Sequence, residues 1–369
     1  MTNAPSGLEG QEGQDPPEWA TLAGWLAREV EGESGGASVE ILSVERPLGG
    51  ASWDTFFVEY VASTEGSSAA SSRRRIVLRR APASGPMAPY EVGKDVAILS
   101  ALEASDVPVP RLLGWTEDAS VFERPFLAAE CVEGEAPDLS RVEQWPRWQE
   151  DREALGREMI RVLAALQRFR WQGTPVPDAL GGAGSAQACV ARVVHRYLAP
   201  LLEDAERLGI GVPIWREIGA WLVASAPPID EEDLVLVHGD YRFGNLIWQE
   251  GKIAAVLDWE RAMIGGAMQD LGFLCMPLSR LRAPEWMGKV LRFDDLALCY
   301  EKETGRAVDV AQVQYYSVFW QFLEGVNTTR ALLQERVPMI LSGVLVQPNL
   351  IARQTFALIE DVESGRGWR

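Results

Sequence analysis

The sequence contains no apolar run long enough to cross a bilayer; a spanning helix needs about 20 consecutive apolar residues. Its N-terminus is acidic and rich in Gly and Pro, without the basic start and apolar stretch of a secretory signal. These absences exclude a membrane-spanning class and predict a cytoplasmic protein. Cysteine is scarce: Cys131, Cys189, Cys275 and Cys299 are scattered with no CxxC spacing. That excludes a zinc or disulfide framework and predicts reduced thiols. The two histidines, His195 and His238, are too few for a metal-dependent hydrolase of the usual ligand set. A basic surplus is also missing. The formal charge of -18 excludes nucleic acid as a partner, because phosphate backbones are held by basic patches. The acidic excess by itself reads as solubility, and the oligomeric state is not legible.

What is present is a globular chain of 369 residues with 47% hydrophobic content, enough for two ordinary domains or one two-lobed enzyme. Residues 1–17 form a Gly/Pro/Glu-rich tail with little to bury. A helix follows, with Trp19, Leu22, Leu26 and Val30 on one face. Strands are predicted at Val39–Val44, Thr55–Val61 and Arg75–Arg79, the last after the low-complexity stretch Ser63–Ser72. A helix around Tyr90–Leu102 and the rigid Val107-Pro108-Val109-Pro110 precede strands at Leu112–Thr116 and Phe126–Val132. Beyond Gly134 the texture is helical: Arg152–Phe169, Ala186–Leu208, Pro213–Ala224 and three or four segments after Pro284. Short strands interrupt this half at Leu234–Val237, and at Ile247-Trp248 and Ile253–Leu257 across the turn Gln249–Lys252. The order is a sheet-rich first third, then a helical two-thirds.

Two segments carry chemistry: His238-Gly239-Asp240-Tyr241-Arg242-Phe243-Gly244-Asn245 and Val256-Leu257-Asp258-Trp259-Glu260. Each begins where an apolar strand ends, so its polar residues emerge at the rim of a packed element. An Asp followed five positions later by an Asn suits a loop in which the carboxylate takes a proton and the amide oxygen binds a metal. Asp258, on a returning strand, supplies a carboxylate for the same hard cation. Magnesium accepts such sparse oxygen ligation, with phosphate oxygens and water completing its shell. Phosphoryl transfer asks for that arrangement, together with positive charge over the phosphates. Arg242, just past the base, suits contact with the transferring phosphate or a place on the surface. His238 reads as a brace for the loop, His195 as an ordinary helix residue, and Glu260 as a partner for a nearby Arg or a third acid. Trp171, Trp286 and Trp320 read as core before acceptor pocket.

These motifs, with Gly266-Ala267-Met268-Gln269-Asp270-Leu271-Gly272, resemble those of the aminoglycoside phosphotransferase family, and within it the subgroup associated with acyl-CoA dehydrogenases. The resemblance extends over most of the chain. It implies an α+β, two-lobed protein-kinase-like fold: a small antiparallel-sheet N-lobe over residues 18–132 and a larger, mainly helical C-lobe over 133–369. It implies a small-molecule kinase using ATP or GTP, with Asp240 as base, Asn245 and Asp258 on Mg2+, and Asp270 fixing the loop. The acceptor is then a hydroxyl of a metabolite, such as a hydroxyacyl thioester, or of an antibiotic. The alternative is a catalytically idle nucleotide-binding or scaffold protein on the same fold.

Within that fold, Gly49, Gly50 and Ser52 fall where the phosphate-covering loop lies, and glycine there lets backbone N–H groups approach phosphate. Arg79 stands where kinases place a Lys, and Asp95 where its Glu partner is expected, with Glu91 one turn earlier as the other choice. Arg can still cradle phosphate bidentately. Backbone groups of Glu130 and Val132 would meet the purine edge at the junction of the lobes. Gln167 stands where relatives carry a His behind the catalytic loop.

Overall fold

The computed structural model describes residues 17–32, 37–47, 53–64, 72–83, 90–182, 184–281, 283–334 and 348–366. The expected phosphate-loop residues Gly49, Gly50 and Ser52 lie outside them. The chain forms two compact units, residues 1–92 with 111–131, and residues 93–110 with 132–369. In order, the elements are α1 (Pro17–Trp25), β1 (Ala37–Glu45), β2 (Asp54–Thr64), β3 (Ser72–Arg80), α2 (Val92–Leu102), β4 (Leu112–Thr116), α3 (Ala119–Phe122) and β5 (Phe126–Glu130). Then follow α4 (Pro146–Arg168), α5 (Val176–Ala179), α6 (Ala186–Arg207), α7 (Pro213–Ala224), β6 (Val235–Val237), β7 (Leu246–Gln249), β8 (Lys252–Val256) and β9 (Met263–Gly265). Among the described residues the remaining α-helices are α8 (Gln269–Cys275), α9 (Phe293–Thr304), α10 (Val310–Leu333) and α11 (Pro348–Ser364). Among the described residues no helix is long and apolar enough to cross a membrane.

The first unit is an antiparallel sheet in the order β1-β2-β3-β5-β4. Alternation decides which face is buried. Phe56, Val58 and Tyr60 of β2 stand beside Leu78, Ile76 and Arg74 of β3, and the buried members share a core with Phe126 and Ala128. Leu22, Trp25 and Leu26 of α1 and the π-helical turn that continues it cover this face. The Trp25 ring meets Phe126 edge-on at 4.7 Å. Each large side chain buried this way contributes about 1.5–3 kcal/mol. Beside this core sits a paired cluster of charge. The Arg80 guanidinium lies between the Phe56 and Phe122 rings, 4.7 Å from each, and bonds Glu123 at 2.7 Å. Asp54 gathers Arg80, Arg124 and Arg46, so the ends of four strands meet at one carboxylate. Pairing is what makes the burial of these charges tolerable.

The second unit is built around α10, whose buried residues run round the whole cylinder and include Tyr315, Tyr316, Phe319, Trp320, Phe322 and Leu323. A helix apolar on every side is a central one, and α6, α7, α8 and α11 pack against it. The α4 stripe Leu155, Met159, Leu163 and Leu166, expected from its spacing, is buried. Trp171 and Trp320 are core residues that spend their indole N–H groups on Leu234 O and Gln269 O.

Two small antiparallel pairs position the motifs. The hairpin β7–β8 turns at Glu250 and Gly251, both at positive φ (51° and 80°), the geometry of a tight primed turn. Its open end sets Leu246 opposite Val256. The expected strand at Leu234–Val237 is β6, and its partner is β9, Met263–Gly265.

Candidate active site

The site grows from the ends of β6, β7 and β8. After β6 the chain turns at Gly239, whose φ of +81° favours glycine. A Cβ there would come within 2.6 Å of Arg261 O and 2.9 Å of the Trp320 ring. The main-chain N–H groups of His238 and Gly239 donate to the two oxygens of Asp270, at 3.0 and 2.9 Å. Asp270 is thus the loop-fixing residue that the resemblance implied. Burial raises its carboxyl above the ordinary aspartate range, against the lowering effect of the two N–H groups.

His238 is a brace, as its place in the sequence suggested. Its Nδ1 accepts from the Asp240 N–H at 3.1 Å, so the other nitrogen carries the hydrogen, and Nε2 donates to Leu257 O at 2.8 Å. One neutral imidazole therefore joins the catalytic loop to the strand end that leads into Asp258. The Trp259 ring packs on it at 4.6 Å, and the Tyr241 hydroxyl anchors the loop to α4 through Met159 O at 2.8 Å.

The Asp240 carboxylate is held on both oxygens. Arg242 Nε donates to Oδ1 at 2.8 Å, and Asn245 Nδ2 donates to Oδ2 at 2.7 Å and to Asp240 O at 2.9 Å. Each oxygen keeps a second lone pair for a hydroxyl hydrogen. Burial pushes the Asp240 carboxyl up, but the Arg242 and Arg261 guanidiniums outweigh it and hold the group below the usual aspartate range. Arg242, left open between surface charge and phosphate contact, is bound to the base itself in this structure.

Asn245 and Asp258 come together through the hairpin. Leu257 N donates to Asn245 O at 2.8 Å, placing Asp258 beside the end of the catalytic loop. Asp258 adopts a left-handed conformation (φ 66°, ψ 65°), uncommon for a residue with a side chain and enriched at functional sites. Because the Asn245 amide nitrogen is spent on Asp240, its Oδ1 remains an acceptor with no protein donor among the described residues. One amide oxygen and one neighbouring carboxylate are hard donors of the kind magnesium takes. The residues present therefore fit a divalent cation completed by phosphate and water.

Several supporting residues were not legible beforehand. Lys94 of α2 donates to Glu260 O at 2.6 Å, pinning the turn after Asp258. Arg261 pairs with Glu324 of α10. Glu158, buried on α4, takes two hydrogen bonds from Arg161 (2.9 and 2.7 Å) and one each from Lys252 Nζ and Ile253 N (both 3.2 Å), so it anchors β8. Gln167, already singled out in the sequence where relatives carry a His, bridges Ala267 O at 2.7 Å and the Tyr300 hydroxyl at 2.6 Å, bracing the segment before Asp270 with an amide.

Of the residues expected on the nucleotide side, Arg79 is in the first unit, its guanidinium 5.3 Å from the Trp53 ring. Asp95 is in the second, buried on α2. Glu130 ends β5, its N–H on Arg111 O at 2.9 Å and its carboxylate 3.7 Å from the Arg111 guanidinium. Val132 is the first residue of the chain's return to the second unit.

Comparison with known proteins adds an independent line. The profile of a phosphotransferase enzyme family matches residues 43–307. Among curated proteins, the chain is similar to acyl-CoA dehydrogenase family member 11 of Gallus gallus, 31% identical over 202 residues, or 53% of this chain and 24% of the relative. The match thus spans about a quarter of that protein. A candidate aminoglycoside phosphotransferase from Ralstonia eutropha JMP134 superposes with a TM-score of 0.61 at 23% identity, covering 95% of this chain and 99% of the other. A thermostable variant of aminoglycoside phosphotransferase APH(4)-Ia, solved with AMP-PNP and hygromycin B, gives 0.51 at 16% identity, over 89% and 96%. Both solved structures share the two-lobed, kinase-like fold.

Proposed function

The chain belongs to the phosphotransferase enzyme family, and from that premise we propose that it is a small-molecule kinase with Asp240 as its base. One observation carries the reading: the Asp240 carboxylate is fixed by Arg242 and Asn245 beside the hairpin end that bears Asp258. Asp240 would align the acceptor hydroxyl and take its proton onto a carboxylate oxygen as the acceptor oxygen bonds the γ-phosphorus and the bond to the departing nucleoside diphosphate breaks. A carboxylate held below the usual range is a weak base. That suits a loose transition state, which asks for positioning more than for early proton removal. Arg242 keeps the carboxylate oriented and offers positive charge beside the transferred group.

Asn245 and Asp258 are the residues that would hold Mg2+, which when bound supplies charge neutralisation between phosphate groups. Arg79 would cradle phosphate, with Asp95 as its acidic counterpart. Gly49, Gly50 and Ser52 would cover the phosphates, and the backbone of Glu130 and Val132 would meet the purine of ATP or GTP. The AMP-PNP and hygromycin B of the APH(4)-Ia complex support a nucleotide donor and a hydroxyl-bearing acceptor. Similarity to part of acyl-CoA dehydrogenase family member 11 supports a metabolite, such as a hydroxyacyl thioester, over an antibiotic. The four free cysteines fit a cytoplasmic setting.

The reading is tested by incubating the protein with Mg2+ and ATP or GTP against a panel of hydroxyl-bearing metabolites and antibiotics, and following the gain of one phosphoryl group by mass spectrometry. Transfer to a hydroxyl supports it. Tight nucleotide binding with no transfer across the panel favours an idle scaffold on the same fold.

A further inference from the structure

A second cation stands by the catalytic loop without touching the base. Arg261 closes the turn that begins at Asp258. Its side chain is 13% exposed and ion-paired to Glu324 of α10, and among the described residues it makes no hydrogen bond or ion pair with Asp240. Its main chain lies against the loop, since a methyl group at Gly239 would sit 2.6 Å from Arg261 O and 3.0 Å from Arg261 Cβ. Three attachments thus meet in one residue. Its turn carries the metal-side Asp258, its backbone walls Gly239 next to the base, and its guanidinium reaches the central helix.

The pair is only partly open to water, its side chains 13% and 25% exposed, and charges that give up part of their hydration are a costly way to fill space. Packing alone would be served better by an apolar pair. The guanidinium is not even fully satisfied: Nε is buried with no acceptor among the described residues. The same turn is also held by Lys94 on Glu260 O from α2 and by the Trp259 ring on His238. The Glu324 contact ties it to α10, whose Trp320 also lies against Gly239.

We infer that the Arg261–Glu324 pair is a strut that fixes the Asp240 carboxylate relative to Asp258, making Arg261 a positioning residue for the transfer. This rests on the reading of Asp240 as the base. Loss of either end lets the loop and the turn shift against each other, which slows the chemical step and leaves nucleotide binding almost as it was. The two ends act through one contact, so losing both does no more harm than losing one.

The test measures ADP release from magnesium–ATP, with water as acceptor, for the full-length protein and its Arg261→Met, Arg261→Lys, Glu324→Gln and Arg261→Met/Glu324→Gln variants. Each of Arg261→Met and Glu324→Gln is expected to lower kcat by about tenfold, and the double variant by no more than the worse single. Arg261→Lys, which keeps the charge and the partner, should stay within about threefold of wild type, and KM for ATP within about threefold throughout. An additive double variant, an Arg261→Lys protein as slow as Arg261→Met, or a KM that rises in step with the loss of kcat overturns the strut. Crystal structures of Arg261→Lys and of the double variant read the geometry without turnover. A shift of Gly239-Asp240 against Asp258 is expected in the double and not in Arg261→Lys; an unmoved loop in the double overturns the strut. Asp240→Ala assayed alongside keeps the readings apart, since wild-type turnover there removes the base assignment while the structures still judge the strut.

Discussion

Asn245 donates from one amide nitrogen to both the main-chain oxygen and the carboxylate of Asp240, at 2.9 and 2.7 Å. The residue that would offer oxygen to the metal is therefore also the residue that sets the base. Asn245→Ala removes both functions, and kcat is expected to fall by about a hundredfold. Asn245→Asp keeps an oxygen for the metal but places a second anion against Asp240. It should be at least as slow as Asn245→Ala at neutral pH, and steady-state turnover of the two variants checks the order.

Gly239 and Gly305 both adopt positive φ, +81° and +71°, but only Gly239 has close neighbours where a Cβ would stand. Gly305→Ala pays the backbone term alone, about 1 kcal/mol. Gly239→Ala adds a clash with Arg261 O and should cost about 3 kcal/mol or more. Urea unfolding of the two variants measures the difference, and equal losses would mean that the contact with Arg261 is not tight.

Glu158 is buried on α4 with four hydrogen-bond donors around it. Burial pushes its carboxyl up, but Arg161, the Ile253 N–H and Lys252 outweigh it, so the folded value lies below the ordinary 4.5. A depressed acid stabilises the fold above its unfolded value, and that stability is lost as pH falls through the folded value. Arg161 and Lys252 are themselves exposed and regain water when the acid is lost, so Glu158→Gln should cost only about 1–3 kcal/mol at neutral pH. The gap between wild type and variant is expected to hold down to about pH 4.5 and to close below it. Chemical denaturation at several pH values checks this.

Lys94 donates to Glu260 O, two residues beyond Asp258. Outer contacts of this kind orient a metal ligand without touching the metal. Lys94→Met should raise the magnesium concentration needed for half-maximal nucleotide binding by about tenfold, measured by calorimetric titration. Lys94→Arg, which can still donate, should lie closer to wild type.

The catalytic half of the site was legible because its residues are contiguous. His238 to Asn245 and Val256 to Asp258 each follow a short apolar strand, and the turn at Glu250-Gly251 announces the hairpin that joins them. The long strands β1 to β3 were legible from alternation. Other features depend on pairings that local pattern does not carry. β9 is a three-residue Met-Ile-Gly segment, recognisable as a strand only once β6 lies beside it. Glu158 interrupts an apolar helical stripe and gives no local sign that Ile253 and Lys252 will close over it. Arg261 and Glu324 are separated by 63 positions, so neither predicts the other. Grouping residues 93–110 with the second unit likewise reflects tertiary contacts such as Val256 N to Pro108 O at 2.8 Å.

The central claim is that Asp240 acts on the acceptor and not on the nucleotide. It is tested most directly by comparing wild type with Asp240→Asn in two assays on the same preparation: phosphoryl transfer to an acceptor identified by the mass-spectrometric screen, and binding of magnesium–ATP. The account predicts transfer reduced by about a thousandfold or more, with the nucleotide Kd within about threefold of wild type. Transfer at the wild-type rate by Asp240→Asn would contradict it.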